Sequence, residues 1–188
     1  MPASSAAPGR LQTRDLTYIA LFAVGMAVCA WISIPVPKPL VPFTLQTFAV
    51  FLALNVLGGR RGLYAVLVYL LLGAVGVPVF AGFRGGLDVL LGSTGGYIVG
   101  FVGSALVYWL LTARLGQSLA VRAAGCLAGL ALCYAFGTAW FLAVYTASTG
   151  PLGLVTALGW CVFPFILPDL LKLGLALAVA RRVGKFLR

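Results

Sequence analysis

The sequence predicts an all-α membrane protein of six transmembrane helices, and three observations carry that prediction. Charged residues make up 9% of the 188 residues and hydrophobic residues 62%, with mean hydropathy +1.10. A soluble domain carries roughly 25% charged residues, so too little polar surface exists here to face water. Apolar runs about as long as a bilayer is thick recur along the chain, separated by short segments of Pro, Gly and Arg. The basic residues lie in pairs between these runs rather than on one face. The net charge of +10 is therefore read as a membrane-orientation signal and not as a nucleic-acid surface.

Residues 1–15 read as a disordered cytoplasmic tail, and residues 16–188 as a single six-helix domain. Met1–Arg10 has no apolar stretch ending in small residues, which argues against a signal peptide. The first span is Leu16–Ile34, with Thr13 or Asp15 as its cap. Pro35, Pro37, Pro39 and Pro42 end it, because proline lacks the N–H a helix needs. Phe43–Leu57 is a short second span. Gly58-Gly59-Arg60-Arg61-Gly62 reads as a tight basic turn before the third span, Leu63–Phe80. Ala81–Ser93 is a Gly-rich loop, Thr94–Ala113 the fourth span, Arg114–Arg122 a polar connection and Ala123–Thr146 the fifth span. Leu154–Ala180 is too long for one plain helix. Pro164 and Pro168 divide it into a short outer segment and a helix from about Pro164.

With this layout ten basic residues fall on one side: Arg10, Arg14, Arg60, Arg61, Arg114, Arg122, Arg181, Arg182, Lys185 and Arg188. Lys38 and Arg84 fall on the other, and Lys172 lies inside the last span. The asymmetry places both termini in the cytoplasm of a multi-pass protein of the cell inner (plasma) membrane.

Asp169 and Lys172 are three residues apart and share a helix face. A charge inside a span is costly, so such residues pair with each other or meet a ligand; both readings stand. A helix starting near Pro164 puts Asp169 roughly 7.5 Å below its outer end, within reach of a pocket open to the outside. Arg84, in Gly82-Phe83-Arg84-Gly85-Gly86, is either a solvated charge beside Asp88 or a fork for a ligand carboxylate. Thr44 and Gln46 follow the proline-rich stretch, as a rigid return into the membrane or as neutral hydrogen-bonding groups. Tyr97, Tyr134 and Trp140 serve as pocket walls or as packing. Cys29, Cys126, Cys133 and Cys161 sit in apolar runs without metal-binding spacing and read as buried free thiols.

The chain has no His and no Glu. Neither a Ser–His pair nor an HExxH metal site can be assembled, so binding is expected rather than catalysis. With no Walker sequence either, no ATP hydrolysis by the chain itself is expected.

Four ordered motifs resemble those of the biotin-specific S components of energy-coupling-factor transporters, the BioY family. They are Val41-Pro42-Phe43-Thr44-Leu45-Gln46-Thr47; Gly76-Val77-Pro78-Val79-Phe80-Ala81-Gly82 running into Arg84-Gly85-Gly86; Leu91-Gly92-Ser93-Thr94-Gly95-Gly96-Tyr97-Ile98-Val99-Gly100-Phe101; and Pro164-Phe165-Ile166 with Pro168-Asp169-Leu170-Leu171-Lys172. Ser93 departs from the family, which usually has Pro there. The resemblance covers nearly the whole chain after the tail. It implies an S-component-like bundle that captures biotin at the outer face, with no covalently bound cofactor. Arg84, Asp169, Lys172, Thr44, Gln46 and Tyr97 are the implied ligand residues. The implied partners are a transmembrane coupling component, which Ala23 and Ala27 would meet, and two ABC-type ATPase subunits that alone use ATP. Two alternatives remain: an S component for another vitamin, and a membrane assembly subunit without a ligand.

The charge asymmetry yields the first prediction. A reporter fused after Arg188 stays cytoplasmic, and one inserted at Arg84 is exported. Export of the Arg188 fusion would reverse the orientation.

Overall fold

The computed structural model describes residues 12–34 and 41–184. The expected tail to Arg10, Pro35, Pro37, Lys38, Pro39, Lys185 and Arg188 lie outside the described residues. The chain forms α1 (Thr13–Trp31), β1 (Ser33–Ile34), β2 (Phe43–Thr44), α2 (Gln46–Leu57), α3 (Gly59–Ala74), α4 (Leu87–Leu91), α5 (Gly95–Leu115), α6 (Leu119–Ser148), α7 (Leu154–Cys161) and α8 (Phe163–Val183). The two strands pair antiparallel, Ser33 with Thr44 and Ile34 with Phe43.

By length and apolar composition, α1, α5, α6 and the α7–α8 stretch can each cross a membrane, four spans in all among the described residues. α2 has 12 residues and α3 has 16, short of the roughly 20 that a full span needs. The chain is thus a helical membrane protein. Length and composition by themselves give four spans, not the six expected.

Several boundaries move, each for a local reason. α1 starts at Thr13, not Leu16. Gln12 precedes it as the cap, and its backbone N–H donates to the Asp15 carboxylate at 3.1 Å. Asp15 therefore sits in the first turn, where a negative charge suits the helix dipole. It is buried and pairs with Arg61 at 3.1 Å. The supposed basic turn is mostly helix. Gly58, at φ +81°, makes the reversal alone, and α3 begins at Gly59. A Cβ on Gly59 would collide with Trp109, and one on Gly62 with Leu54. These glycines allow close packing rather than flexibility. α3 ends at Ala74, before Gly76 (φ +100°), instead of running to Phe80. α6 begins at Leu119 because the Ser118 side chain accepts from the Val121 N–H, which places Arg122 inside the helix. The break before Pro164 is found at Val162, between α7 and α8.

α5 and α6 form a tight antiparallel pair. Gly96 faces Trp140, Gly100 faces Cys133, Ser104 faces Gly129 and Tyr108 faces Gly125 in reverse order along the two helices. The Ser104 hydroxyl donates to the Gly129 carbonyl at 2.6 Å, a cross-helix bond that only a missing side chain permits. At the end of the bundle holding the α2–α3 and α5–α6 junctions, Arg122 donates to the Asn55 side-chain oxygen at 2.9 Å and to its backbone oxygen at 2.6 Å. The cation thereby satisfies a carbonyl near the end of α2. Arg14, Arg60, Arg61, Arg114, Arg181 and Arg182 occupy the same end.

Ala23 and Ala27, expected at a partner interface, are instead 1% and 4% exposed within the main core. Their small side chains let α1 approach helices of its own chain. Ala23→Trp is therefore expected to overpack the core by about 1–3 kcal/mol and lower the thermal midpoint of the purified protein. Val24→Trp, at a position 56% exposed, is expected to leave it nearly unchanged. Equal midpoints for the two variants would place Ala23 on the surface.

Candidate functional site

The end opposite the arginine cluster is built from helix ends and loops. It gathers the C-terminal end of α1, the N-terminal end of α2, the loop from α3 to α5, the second half of α6 and the start of α8. A cleft opens there. Thr44, Gln46, Arg84, Tyr97, Asp169 and Lys172 all line it. Six residues singled out from four separate motifs thus converge on one cavity.

Asp169 and Lys172 occupy its polar corner, 2% and 7% exposed. The Lys172 ammonium reaches Asp169 Oδ1 at 2.7 Å, the Thr44 carbonyl at 2.7 Å and Thr47 Oγ1 at 3.2 Å. An ammonium has three hydrogens, and all three are engaged. Its fourth side lies over the Phe43 ring, 4.3 Å from the centroid, a favourable place for a cation. Asp169 also accepts from Thr47 Oγ1 at 2.8 Å and from the Tyr134 hydroxyl at 2.6 Å. With three donors on its oxygens, the carboxylate retains acceptor capacity facing the cleft. Pro168 leaves no N–H for the carbonyl four residues earlier in the first turn of α8.

Arg84 stands at the mouth. Its backbone oxygen accepts from the Phe80 N–H at 2.9 Å, and its Nε makes a long 3.5 Å contact with the Ala81 oxygen. Arg84 is exposed, and among the described residues it forms no ion pair with Asp88. The loop is held in place. Gly86 N–H donates to the Gly73 oxygen at 2.7 Å, Trp31 Nε1 donates to the Pro78 oxygen at 2.8 Å, and Phe83 stacks on Trp31 at 4.9 Å. Phe83 takes φ +56°, unusual for an aromatic residue. The expected irregular loop also contains α4.

The apolar walls include Phe80, Val89, Ile98, Phe101, Leu130 and Phe165. Tyr97 joins them with its hydroxyl 2.9 Å from Thr138 Oγ1. Trp140 does not line the cleft; it donates to the Gly92 oxygen at 3.0 Å and pins the loop before α5. Cys133 and Cys161 are buried wall residues, Cys126 is buried elsewhere and Cys29 is half-buried; all four are free thiols. No group of His, Cys, Asp or Glu among the described residues can hold a metal.

Thr47 and Tyr134 bear directly on Asp169, though the sequence offers Tyr134 only as a pocket wall or packing residue. Thr47 belongs to the first of the four motifs and gives no signal beyond being polar. Tyr134 is one of several tyrosines in apolar helices, and only the packing of α6 beside α8 shows what it does.

The pair generates a stability prediction. Lys172→Met leaves Asp169 charged and unpaired in a buried site, a loss of about 3–5 kcal/mol. Adding Asp169→Asn to it is expected to recover part of that loss in thermal unfolding. A double variant whose loss equals the sum of the two single losses would show that the charges do not stabilise each other.

Comparison with known proteins places this geometry. The BioY family profile matches residues 3–188. The chain is 43% identical over 172 residues to the biotin transporter BioY of Thermotoga maritima, covering 92% of this chain and 96% of that protein. It is 39% identical over 173 residues to the probable biotin transporter BioY of Pyrococcus horikoshii, covering 92% and 98%. The crystal structure of an S component for biotin from an ECF-type ABC transporter superposes with a TM-score of 0.82 at 25% identity, over 96% of this chain and 95% of that one. A family profile spanning nearly all residues and relatives matched end to end lead to one assignment: the chain belongs to the BioY family.

Proposed function

We propose that this chain is the biotin-binding S component of an ECF-type importer. The observation that carries the reading is the one cleft in which the Asp169–Lys172 pair, Arg84 (without an ion pair among the described residues) and apolar walls meet, in a chain whose full-length relatives are named biotin transporters. Biotin has matching parts: a ureido group with two N–H donors and a carbonyl, an apolar bicycle and chain, and a carboxylate. Asp169 accepts a ureido N–H. Arg84 at the mouth takes the carboxylate through its fork. The walls cover the apolar remainder. Lys172 acts chiefly through Asp169, since a ligand carbonyl reaches an ammonium hydrogen only by displacing one of its three protein acceptors. Its ammonium holds Asp169 Oδ1 at 2.7 Å and so fixes where that carboxylate stands in the cleft.

The ligand-free assembly reading has less support. The pair is nearly sealed from solvent, but it lines the same cleft as Arg84 and the apolar walls, where a ligand would meet it. In the proposed arrangement the cleft faces outward, opposite the arginine-rich end, and both termini are cytoplasmic in the inner membrane. α2 and α3 complete a six-helix bundle as short spans within it. A coupling component and two ATPase subunits supply the energy, because this chain carries no nucleotide-binding motif.

Binding of biotin to the purified protein, followed by calorimetry, tests the reading directly; no binding would overturn it. Arg84→Ala is expected to weaken biotin by roughly three- to tenfold, the solvent at this exposed position moderating a charged hydrogen bond. It should leave biotin amide nearly unaffected. Equal losses for acid and amide would remove Arg84 from the carboxylate.

A further inference from the structure

We propose that Tyr69, which does not line the cleft, is a positioning residue that turns the Gln46 amide so that its oxygen faces the ligand, making this a second N–H-reading position beside Asp169. Tyr69 lies in the middle of α3 and is 0% exposed. Its hydroxyl is 3.1 Å from the Val79 carbonyl. A carbonyl only accepts, so the single tyrosine hydrogen belongs there. The hydroxyl oxygen is then left as an acceptor, and its neighbour must be a donor. That neighbour is the Gln46 side chain at 2.7 Å. The amide nitrogen is therefore the inward atom, an orientation set by hydrogen counting and not by the near-identical shapes of the two amide ends.

The Gln46 Oε1 atom points the other way. Gln46 is 5% exposed and lines the cleft. Among the described residues no donor meets Oε1, yet no buried polar side-chain atom there is left sealed without a partner. The oxygen thus opens on the cleft and waits for a donor. Together with Asp169 it gives the site two acceptors. Such a site selects a ring carrying two N–H groups, a cyclic urea, over a ring in which one N–H is replaced. The same hydroxyl ties α2 to Val79, next to Phe80, whose N–H holds the Arg84 loop. Tyr69 also packs edge-on to Phe80 at 5.5 Å.

This inference rests on the biotin reading, and the test separates the two. Calorimetry compares biotin with the two cyclic carbamate isomers in which one ureido N–H is replaced by oxygen. Unaltered protein is expected to bind each isomer about tenfold or more weakly, as a lost donor leaves a buried acceptor unsatisfied. In Tyr69→Phe the amide is free to turn its nitrogen outward. Discrimination against one isomer should fall to about twofold or less, while that against the isomer read by Asp169 persists. Gln46→Met should produce the same one-sided loss without touching Tyr69, and it decides the matter if Tyr69→Phe does not fold. Equal weakening of all three ligands in Tyr69→Phe, or unchanged discrimination in Gln46→Met, would make the contact merely structural and overturn the proposal. Unaltered protein that binds biotin but tolerates both carbamates overturns this inference alone. Protein that binds none of the three overturns the biotin reading together with it.

Discussion

Two opposite charges 2.7 Å apart, almost out of contact with solvent, are the constraint around which the ligand end of this protein is arranged. Removing them from water costs several kcal/mol per ion unless geometry and further hydrogen bonds compensate. The compensation here is complete on the lysine side. Meeting it fixes Thr44 on β2, Thr47 in the first turn of α2 and Tyr134 on α6 relative to α8. Three helices distant in sequence are thereby locked around one carboxylate. A site held that way is preorganised, so a ligand need not order it on arrival.

The two ends of the bundle solve different problems. At the arginine-rich end, helix junctions are short and the cross-helix bonds are internal: Arg122 to Asn55, Tyr108 to Asn55 and Arg61 to Asp15. At the other end, α2 is short and α3 stops early, so the space above them is filled by β1, β2 and the loop through Arg84. Loops with buried backbone must find partners for it. Here Trp31, Trp140 and Tyr69 reach over from helices to supply donors to the Pro78, Gly92 and Val79 carbonyls. The aromatic residues that composition assigns to apolar packing thus also hold the loops that shape the cleft.

The long apolar helices, the two-sided distribution of arginines and the charge pair inside a span were legible in the sequence because each leaves a local mark. Lipid demands uncharged runs. Orientation demands basic residues at one end. A charge inside a span has few explanations. The glycines were less legible. Gly59 and Gly62 read as a turn, yet they lie in helix beneath Trp109 and Leu54. A glycine needed for close packing and one needed for a positive φ are the same letter.

What the sequence by itself determined is the class, the polarity of the ends and the identities of Arg84, Asp169 and Lys172 as unusual charges. Tertiary structure decided the remainder. It turned Ala23 and Ala27 inward, brought Tyr134 and Thr47 onto Asp169, and engaged every hydrogen of Lys172. It also connected Tyr69 to Gln46 across 23 residues. Periodicity and charge report on a residue's own helix and its solvent, whereas a hydrogen-bond partner on another helix depends on which faces meet, and that is settled only when the helices pack.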